Sequence, residues 1–363
     1  MKLTFPHLGN VGLPLRMMLE QAGAEVVMPP PNSKRTLSLG TKYAPESVCL
    51  PFKLTLGNFI EALEQGADTI FMANGPGRCR FGFYGEVQQR ILRELGYQFT
   101  MLQVNTSEHV LQNILRALRT ISPGLSWLQA GQAFRLGYTA LQAVDMLEKE
   151  LHRVRPREKE KQAASRIFQS VMDRLQRVKT IPEIKAVRDC GLQQLRRVPV
   201  NETPVLKIGI LGEIYVVLEP FVTADIERRL AEMGVEVSKF LYPSDWASFN
   251  FFIKALKVFP EHGTAAAAAK PYLNYAVGGE GLKTVGQTVL CAQQDYDGVI
   301  QLYPFTCMPE IVARHMLPRI QEDLQIPVLT LGVDEHTGAA GLQTRLEAFV
   351  DMVSRRKAAK CGK

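Results

Sequence analysis

Two hydrophobic patterns alternate along the first hundred residues. Short apolar runs such as Thr69–Ala73 and Phe99–Val104 predict β-strands. Stretches with helical spacing, such as Leu56–Gln65 and Gly85–Leu95, are followed by glycine and predict amphipathic helices. Strands that alternate with helices indicate parallel crossover units. The same patterns predict further elements at Lys2–Phe5, Leu13–Ala22 and Glu25–Met28.

The middle of the chain, from Ser126 to Lys179, has no strand pattern. Apolar residues recur there at helical spacing in two series, over 136–151 and 164–178, and Pro156 is predicted to separate the two helices. An exit linker is predicted from three prolines, Pro182, Pro199 and Pro204.

Strand and helix patterns alternate again from Val205 onward. The predicted elements are Lys207–Leu211, Ala224–Met233, Glu236–Phe240, Trp246–Val258, Gly281–Gln293, Gly298–Tyr303, Pro309–Gln321, Val328–Leu331 and Leu342–Ser354. The short alanine tract Ala265–Ala269 is interpreted as helix or loop. The predicted fold class is therefore α/β, with two Rossmann-like parallel-sheet domains joined by a helical segment. We predict an α/β domain over 1–125, a basic helical bridge and linker over 126–204, and an α/β domain over 205–363.

Composition places the chain among ordinary globular proteins. Of 363 residues, 46% are hydrophobic and 22% are charged, which argues against disorder and fibrous repeats. No run of about 20 apolar residues is present, so we expect no membrane span. The first residues lack the apolar core of a signal peptide, and we expect a cytoplasmic protein with reduced thiols.

The net charge of +7 comes from one segment. Residues 151–200 hold 13 of the basic residues against 5 acidic ones, and the rest of the chain is close to neutral. The segment has a single aromatic residue, Phe168, so the stacking side chains of a single-strand binder are missing. We predict no nucleic-acid partner and interpret the segment as a solvated helical face, with a docking face for an acidic partner as the alternative.

The motifs of several common enzyme classes are absent from the sequence. There is no phosphate-binding loop of the G-x-x-x-x-G-K-[ST] type, and Gly278–Thr284 resembles one only loosely. A dinucleotide fingerprint, H-E-x-x-H, G-x-S-x-G and C-x-x-C are also missing. ATP hydrolysis, hydride transfer and zinc proteolysis therefore have no support in the sequence.

Three cysteines lie in similar settings. Cys49, Cys79 and Cys307 stand in segments with glycine or proline, and the last two follow the predicted strands Thr69–Ala73 and Gly298–Tyr303. Ligand sites of parallel sheets gather where the strands end. One such cysteine alone is typical of core packing, but three in comparable positions favour a ligand set.

The residues around these cysteines carry a family resemblance. The motifs are Cys49–Lys53 (CLPFK), Gly77–Gly82 (GRCRFG), Gly212–Val216 (GEIYV), Pro304–Glu310 (PFTCMPE), Asp334–Gly338 (DEHTG) and Thr344–Phe349 (TRLEAF). Together they resemble the 2-hydroxyacyl-CoA dehydratase component superfamily, in the branch related to the dehydratase activases. The resemblance extends over nearly the whole chain.

The resemblance implies an iron–sulfur protein. In that family three cysteines hold a [4Fe–4S] cluster between two α/β domains, and the matching positions are Cys49, Cys79 and Cys307. Thiolates are the usual ligands of such clusters, and three of them leave one iron open. Cys190, Cys291 and Cys361 are interpreted as structural or incidental, which favours a single cubane over a double one.

The resemblance also implies partners. Family members take electrons from an ATP-hydrolysing activase with its own cluster, and the full dehydratases act on a CoA thioester through a ketyl radical. We expect a homo- or hetero-oligomer. Two alternatives stay open: a non-catalytic iron–sulfur carrier or regulator, and a cluster-free module that binds a small molecule.

Polar residues after other predicted strands are weaker candidates. Glu213 and Tyr215 follow Lys207–Leu211, and His336 follows Val328–Leu331, so we predict these three as catalytic residues, with packing, capping and an ordinary loop position as alternatives. Further candidates are Asn10, Lys53, Arg78, Glu310, Asp334 and Glu335.

Because the phosphate-binding loop is missing, we expect this chain alone to lack micromolar affinity for ATP. Isothermal calorimetry with MgATP should show only heats of dilution. A dissociation constant in the micromolar range would contradict the assignment of ATP use to a partner.

Overall fold

The computed structural model describes residues 1–75, 79–106, 109–248 and 263–361. The chain divides into two compact units. The first contains Met1–Ala143, Lys179–Ile184 and residues from Pro243, and the second contains Val144–Val178, Lys185–Tyr242 and the C-terminal part of the chain. The helical segment predicted over 126–204 thus contributes residues to both units.

The first unit is built on a four-stranded parallel sheet of order β2-β1-β3-β4. Its main elements are β1 (Lys2–Thr4), α1 (Gly12–Gln21), β2 (Glu25–Val26), α2 (Lys34–Tyr43), α3 (Leu50–Glu64), β3 (Thr69–Asn74), α4 (Tyr84–Glu94), β4 (Thr100–Asn105) and α5 (Val110–Ile121).

Side chains that alternate along β3 build a core on each face of this sheet. Phe71 packs with residues of α1 and α5, whereas Ile70 and Met72 pack with residues of α3 and α4. This follows from the period of two in a strand, which sends neighbouring side chains to opposite faces. The sheet is therefore covered by helices on both sides, as expected for a parallel sheet.

The backbones of helices α2 and α3 approach each other closely at Gly40 and Lys53. A Cβ atom at Gly40 would lie 1.7 Å from the carbonyl oxygen of Lys53, so only glycine permits this approach. Ser33 caps the start of α2, and its side chain and that of Thr36 form a reciprocal capping box. The backbone contact holds the N-terminal half of α3 in place.

The helical segment consists of α6 (Trp127–Val154), α7 (Ala163–Leu175) and α8 (Ile181–Arg196). As predicted, a break falls at Pro156, which lies in a short 3-10 turn after α6. The linker predicted from Pro182 is wrong, because Pro182 lies in the first turn of α8, where a missing N–H costs nothing.

The second unit repeats the strand order of the first, β6-β5-β7-β8, again with parallel pairing throughout. The central strand β7 is buried along its whole length. The elements from this point on are β5 (Leu206–Gly212), α9 (Ile214–Leu218), α10 (Pro220–Thr223), α11 (Ile226–Glu232), β6 (Val235–Lys239), α12 (Pro243–Ser248), α13 (Gly263–Ala269), α14 (Gly281–Gln293), β7 (Gly298–Pro304), α15 (Met308–Leu324), β8 (Val328–Val333) and α16 (Ala339–Cys361); α12 belongs to the first unit.

The predicted α/β class with two parallel-sheet domains is confirmed. Most of the helix predicted at Trp246–Val258 falls outside the described residues. No helix among the described residues is both long and apolar enough to span a bilayer.

A buried ionic cluster ties α6 to the edge strand β6 and to α11. The ammonium of Lys239 lies 2.8 Å from a carboxylate oxygen of Glu148 and 3.0 Å from one of Glu227. His152 Nε2 lies 2.6 Å from the other oxygen of Glu227. Burial opposes charge on these groups, but the opposite charges outweigh it: the pKa of Lys239 is raised and that of Glu227 is lowered.

We expect Lys239→Met to lower the free energy of unfolding by about 3–5 kcal/mol, because the buried carboxylate of Glu148 and the partly buried one of Glu227 lose their cation. Urea denaturation measures the change. The control is Lys185→Met, at an exposed lysine that makes no ion pair with any described residue. An equal, small effect of both variants would contradict the role of the cluster.

Candidate functional site

The ends of the strands define the edge of each sheet where functional residues collect. In a parallel unit, each helix returns across the sheet and therefore begins near the carboxyl ends of the strands. Cys49 and Cys79 belong to this edge in the first unit, and Cys307 belongs to it in the second. Each unit thus presents cysteine at the carboxyl edge of its sheet.

All three cysteines are N-cap residues. Cys49 precedes α3, Cys307 precedes α15, and Cys79 precedes the 3-10 turn Arg80–Phe83, which continues into α4. None of the three side chains caps its helix through a hydrogen bond. A thiolate at such a position is favoured by the partial positive charge of the helix N-terminus.

Two contacts join the Cys49 and Cys79 segments within the first unit. The hydroxyl of Tyr84, the first residue of α4, lies within hydrogen-bonding distance of the Cys49 sulfur. Arg80 donates a 2.7 Å hydrogen bond to the carbonyl oxygen of Ser47. The thiol of Cys49 is buried and that of Cys79 is half-buried.

Cys307 is buried, although two apolar residues near it in the sequence are exposed. Phe305 is 64% exposed and Met308 is 48% exposed, whereas Cys307 is 8% exposed. Pro309 lies in the first turn of α15, as Pro51 does in α3, so both helices start with the sequence Cys-x-Pro. This repeated start pattern is a sequence signal for the two N-cap cysteines.

A group of three glutamates lies at the same edge of the second unit. Glu213 caps α9 by accepting a hydrogen bond from the Val216 N–H, and Glu280 is the N-cap residue of α14. Glu310 lies in the first turn of α15 and is fully buried. Burial raises the pKa of Glu213 to about 7 and that of Glu310 to about 8, and the charge of Glu280 adds to both shifts.

Glu310 is held by two side chains. Gln301 Nε2 donates a 2.9 Å hydrogen bond to one carboxyl oxygen, and the hydroxyl of Thr284 lies 3.0 and 3.1 Å from the two oxygens. These hydrogen bonds favour the carboxylate and oppose the effect of burial on the pKa of Glu310, but burial prevails. At neutral pH the group therefore stays protonated for the most part.

The backbone conformation of Gly212 sets the position of Glu213. Its φ of +131° lies in the region that favours glycine, and a Cβ atom there would lie 1.9 Å from the carbonyl oxygen of Leu302. The chain can leave β5 and start α9 only with glycine at this point. Glu213 makes the capping contact that the sequence analysis gave as the alternative to a catalytic role.

The other predicted residues lie at varied depths. Tyr215 is buried on α9, and His336 is exposed in the loop after β8, where its backbone N–H donates to Asp334 Oδ1. Lys53 is buried in α3. As catalytic residues, Glu213, Tyr215 and His336 stay predictions. Asn10 is exposed in a short 3-10 turn before α1, and Glu335 is half-buried in the loop after β8. Arg78 lies outside the described residues.

Two of the remaining cysteines, Cys291 and Cys190, lie inside helices. Cys291 packs with Leu211, Val299 and Ile326, and burial raises the pKa of its thiol to about 12. Cys190 lies within α8, where Arg174 donates to its sulfur. Neither sits at the start of a helix, which distinguishes both from the three N-cap cysteines.

The donor set fits an iron–sulfur cluster in its chemistry. The N-cap cysteines form no disulfide bonds, and cluster irons take cysteine thiolates as ligands. Within the described ranges, no group of three or more histidine, cysteine or acidic side chains lies close enough together to hold a metal ion. The sequence had no signal for Tyr84, Glu280 or Thr284 as parts of these edges.

A family model described as the CoA enzyme activase uncharacterised domain matches residues 14–74. The matched segment runs from α1 to the end of β3 and includes Cys49. Over these residues the chain is similar to that domain. No curated protein shows a significant match to the chain.

The raised pKa of Glu310 predicts a pH-dependent stability. The pKa of Glu310 is about 8 in the folded protein against an ordinary value of 4.5. As the pH rises between these values, the unfolded chain releases this proton while the folded protein still holds it. We expect the free energy of unfolding to fall between about pH 4.5 and 8, by a few kcal/mol from this group.

Glu310→Gln keeps the shape and the hydrogen bonds without the charge, and should remove that part of the decline. Thermal or urea unfolding of both proteins across this pH range measures the difference. Parallel curves for the two proteins would contradict burial of an ionisable Glu310.

Proposed function

We propose that this chain is a [4Fe–4S] protein related to 2-hydroxyacyl-CoA dehydratase components. In this proposal it accepts low-potential electrons from a separate ATP-hydrolysing activase and uses them for a radical dehydration or another difficult reduction. The observation that carries the proposal is the N-cap position of Cys49, Cys79 and Cys307 at the carboxyl edges of the two sheets.

The family match supports the proposal from a second direction. The matched segment includes Cys49, and the description of the family concerns activases of CoA enzymes. The absence of a phosphate-binding loop from the sequence agrees with ATP use by a partner.

The proposed roles of the residues follow from their surroundings. Cys49, Cys79 and Cys307 would hold the cluster, and the helix that starts at each would stabilise its thiolate charge. A bound cluster supplies one-electron transfer at a potential that depends on hydrogen bonds and solvent exposure. The protonated carboxyl of Glu310 keeps a further negative charge away from the start of α15.

Iron analysis of cysteine variants tests the proposal. We expect Cys49→Ala, Cys79→Ala and Cys307→Ala each to lose iron after anaerobic purification, because each removes one ligand. Cys190→Ala is the matched control and should keep the wild-type iron content, since its sulfur lies within α8.

Circular dichroism of each variant separates ligand loss from unfolding. Full iron retention in Cys79→Ala would overturn the proposed ligand set. Equal iron loss in Cys190→Ala would also count against it, because the effect would then not depend on the N-cap position.

A further inference from the structure

The contact between Tyr84 and Cys49 joins a buried phenol to a candidate ligand. Tyr84 is only 5% exposed, and its hydroxyl meets the sulfur of Cys49 across 35 positions of sequence. A buried phenol requires a hydrogen-bond partner, and a thiolate is a strong acceptor. The contact can therefore change the charge on the sulfur in addition to packing the two side chains together.

The ring of Tyr84 is held in place by two aromatic side chains. Phe52 on α3 and Phe81 in the 3-10 turn both meet it edge to face, with centroid distances of 5.0 and 5.4 Å. Phe52 lies three residues after Cys49, which is the N-cap residue of α3. The start of α3 therefore positions both the Cys49 sulfur and one of the two rings that hold Tyr84. The hydroxyl is thus aimed at the sulfur by packing that does not depend on the hydroxyl.

The direction of the hydrogen bond depends on the state of Cys49. When Cys49 is a protonated thiol, either atom can donate. A cysteine bound to iron has no proton, so the tyrosine O–H must then be the donor. A donor to a ligand sulfur withdraws charge from it and favours the more negative, reduced state of a cluster.

We propose that Tyr84 is a positioning residue that donates a hydrogen bond to the Cys49 sulfur and thereby raises the reduction potential of the cluster. This inference rests on the proposed function, since it requires iron on Cys49. It assigns to Tyr84 an effect on the equilibrium between the oxidised and reduced cluster, without contact with substrate.

Tyr84→Phe tests the inference, because it removes the hydroxyl and keeps the ring between Phe52 and Phe81. We expect the variant to keep the wild-type iron content. Its one-electron reduction should become about tenfold less favourable, which corresponds to a shift of about 59 mV to more negative potential. A redox titration followed by electron paramagnetic resonance measures the shift.

Tyr43→Phe is the matched control. Tyr43 is partly buried against the same apolar cluster of the first unit, so its variant reports the general cost of removing a phenol there. Its potential should equal that of the wild type. As a second measurement, 3-fluorotyrosine at position 84 makes the phenol more acidic and a stronger donor, and should shift the potential in the positive direction.

The outcomes separate this inference from the proposed function. Wild-type protein without iron after anaerobic purification would overturn both. Iron in the wild type together with an unchanged potential in Tyr84→Phe would overturn the role of Tyr84 alone. Loss of iron from a folded Tyr84→Phe variant would also overturn it, because the hydroxyl would then serve to retain the cluster.

Discussion

The connection between parallel strands is the constraint on which the candidate site depends. A helix that joins two parallel strands must run back across the sheet, so helices begin at the edge where strands end. The partial positive charge of each helix N-terminus is therefore concentrated at that edge. Cysteine at the N-cap, as at Cys49 and Cys307, places a potential thiolate where the backbone favours negative charge.

The two sheets have the same strand order, but their carboxyl edges carry different side chains. Cys79 follows β3 and Cys307 follows β7, which occupy the same position in their sheets. The helix before that strand starts with Cys49 at the N-cap in the first unit and with Glu280 in the second. The first edge thus presents two thiols, and the second presents one thiol with a group of carboxyl groups.

Local patterns in the sequence predicted much of the fold. The α/β class, the break at Pro156 and the helix Gly281–Gln293 all follow from periodicity and proline chemistry, and the structure confirms them. Helix α5 is not among the predicted elements, although it carries apolar residues at helical spacing. Helix α2 has few apolar residues and depends on the close approach of Gly40 to α3.

Contacts between distant positions were beyond prediction from one sequence. Lys239 and its partner Glu148 are 91 residues apart, and nothing in either local pattern indicates the pairing. The contact of Tyr84 with Cys49 is likewise set by how α4 packs on α3. The candidate cysteines could be selected from the sequence because loop composition and strand ends are local features, whereas the groups around them come from tertiary packing.

The iron and acid-labile sulfide content of the wild-type chain, purified without exposure to air, tests the central claim most directly. The account predicts a brown protein with about four irons and four sulfides per chain, as a single [4Fe–4S] cluster requires. A colourless, folded protein with neither element would contradict it, and would leave the cysteines as packing residues of a cluster-free binding module.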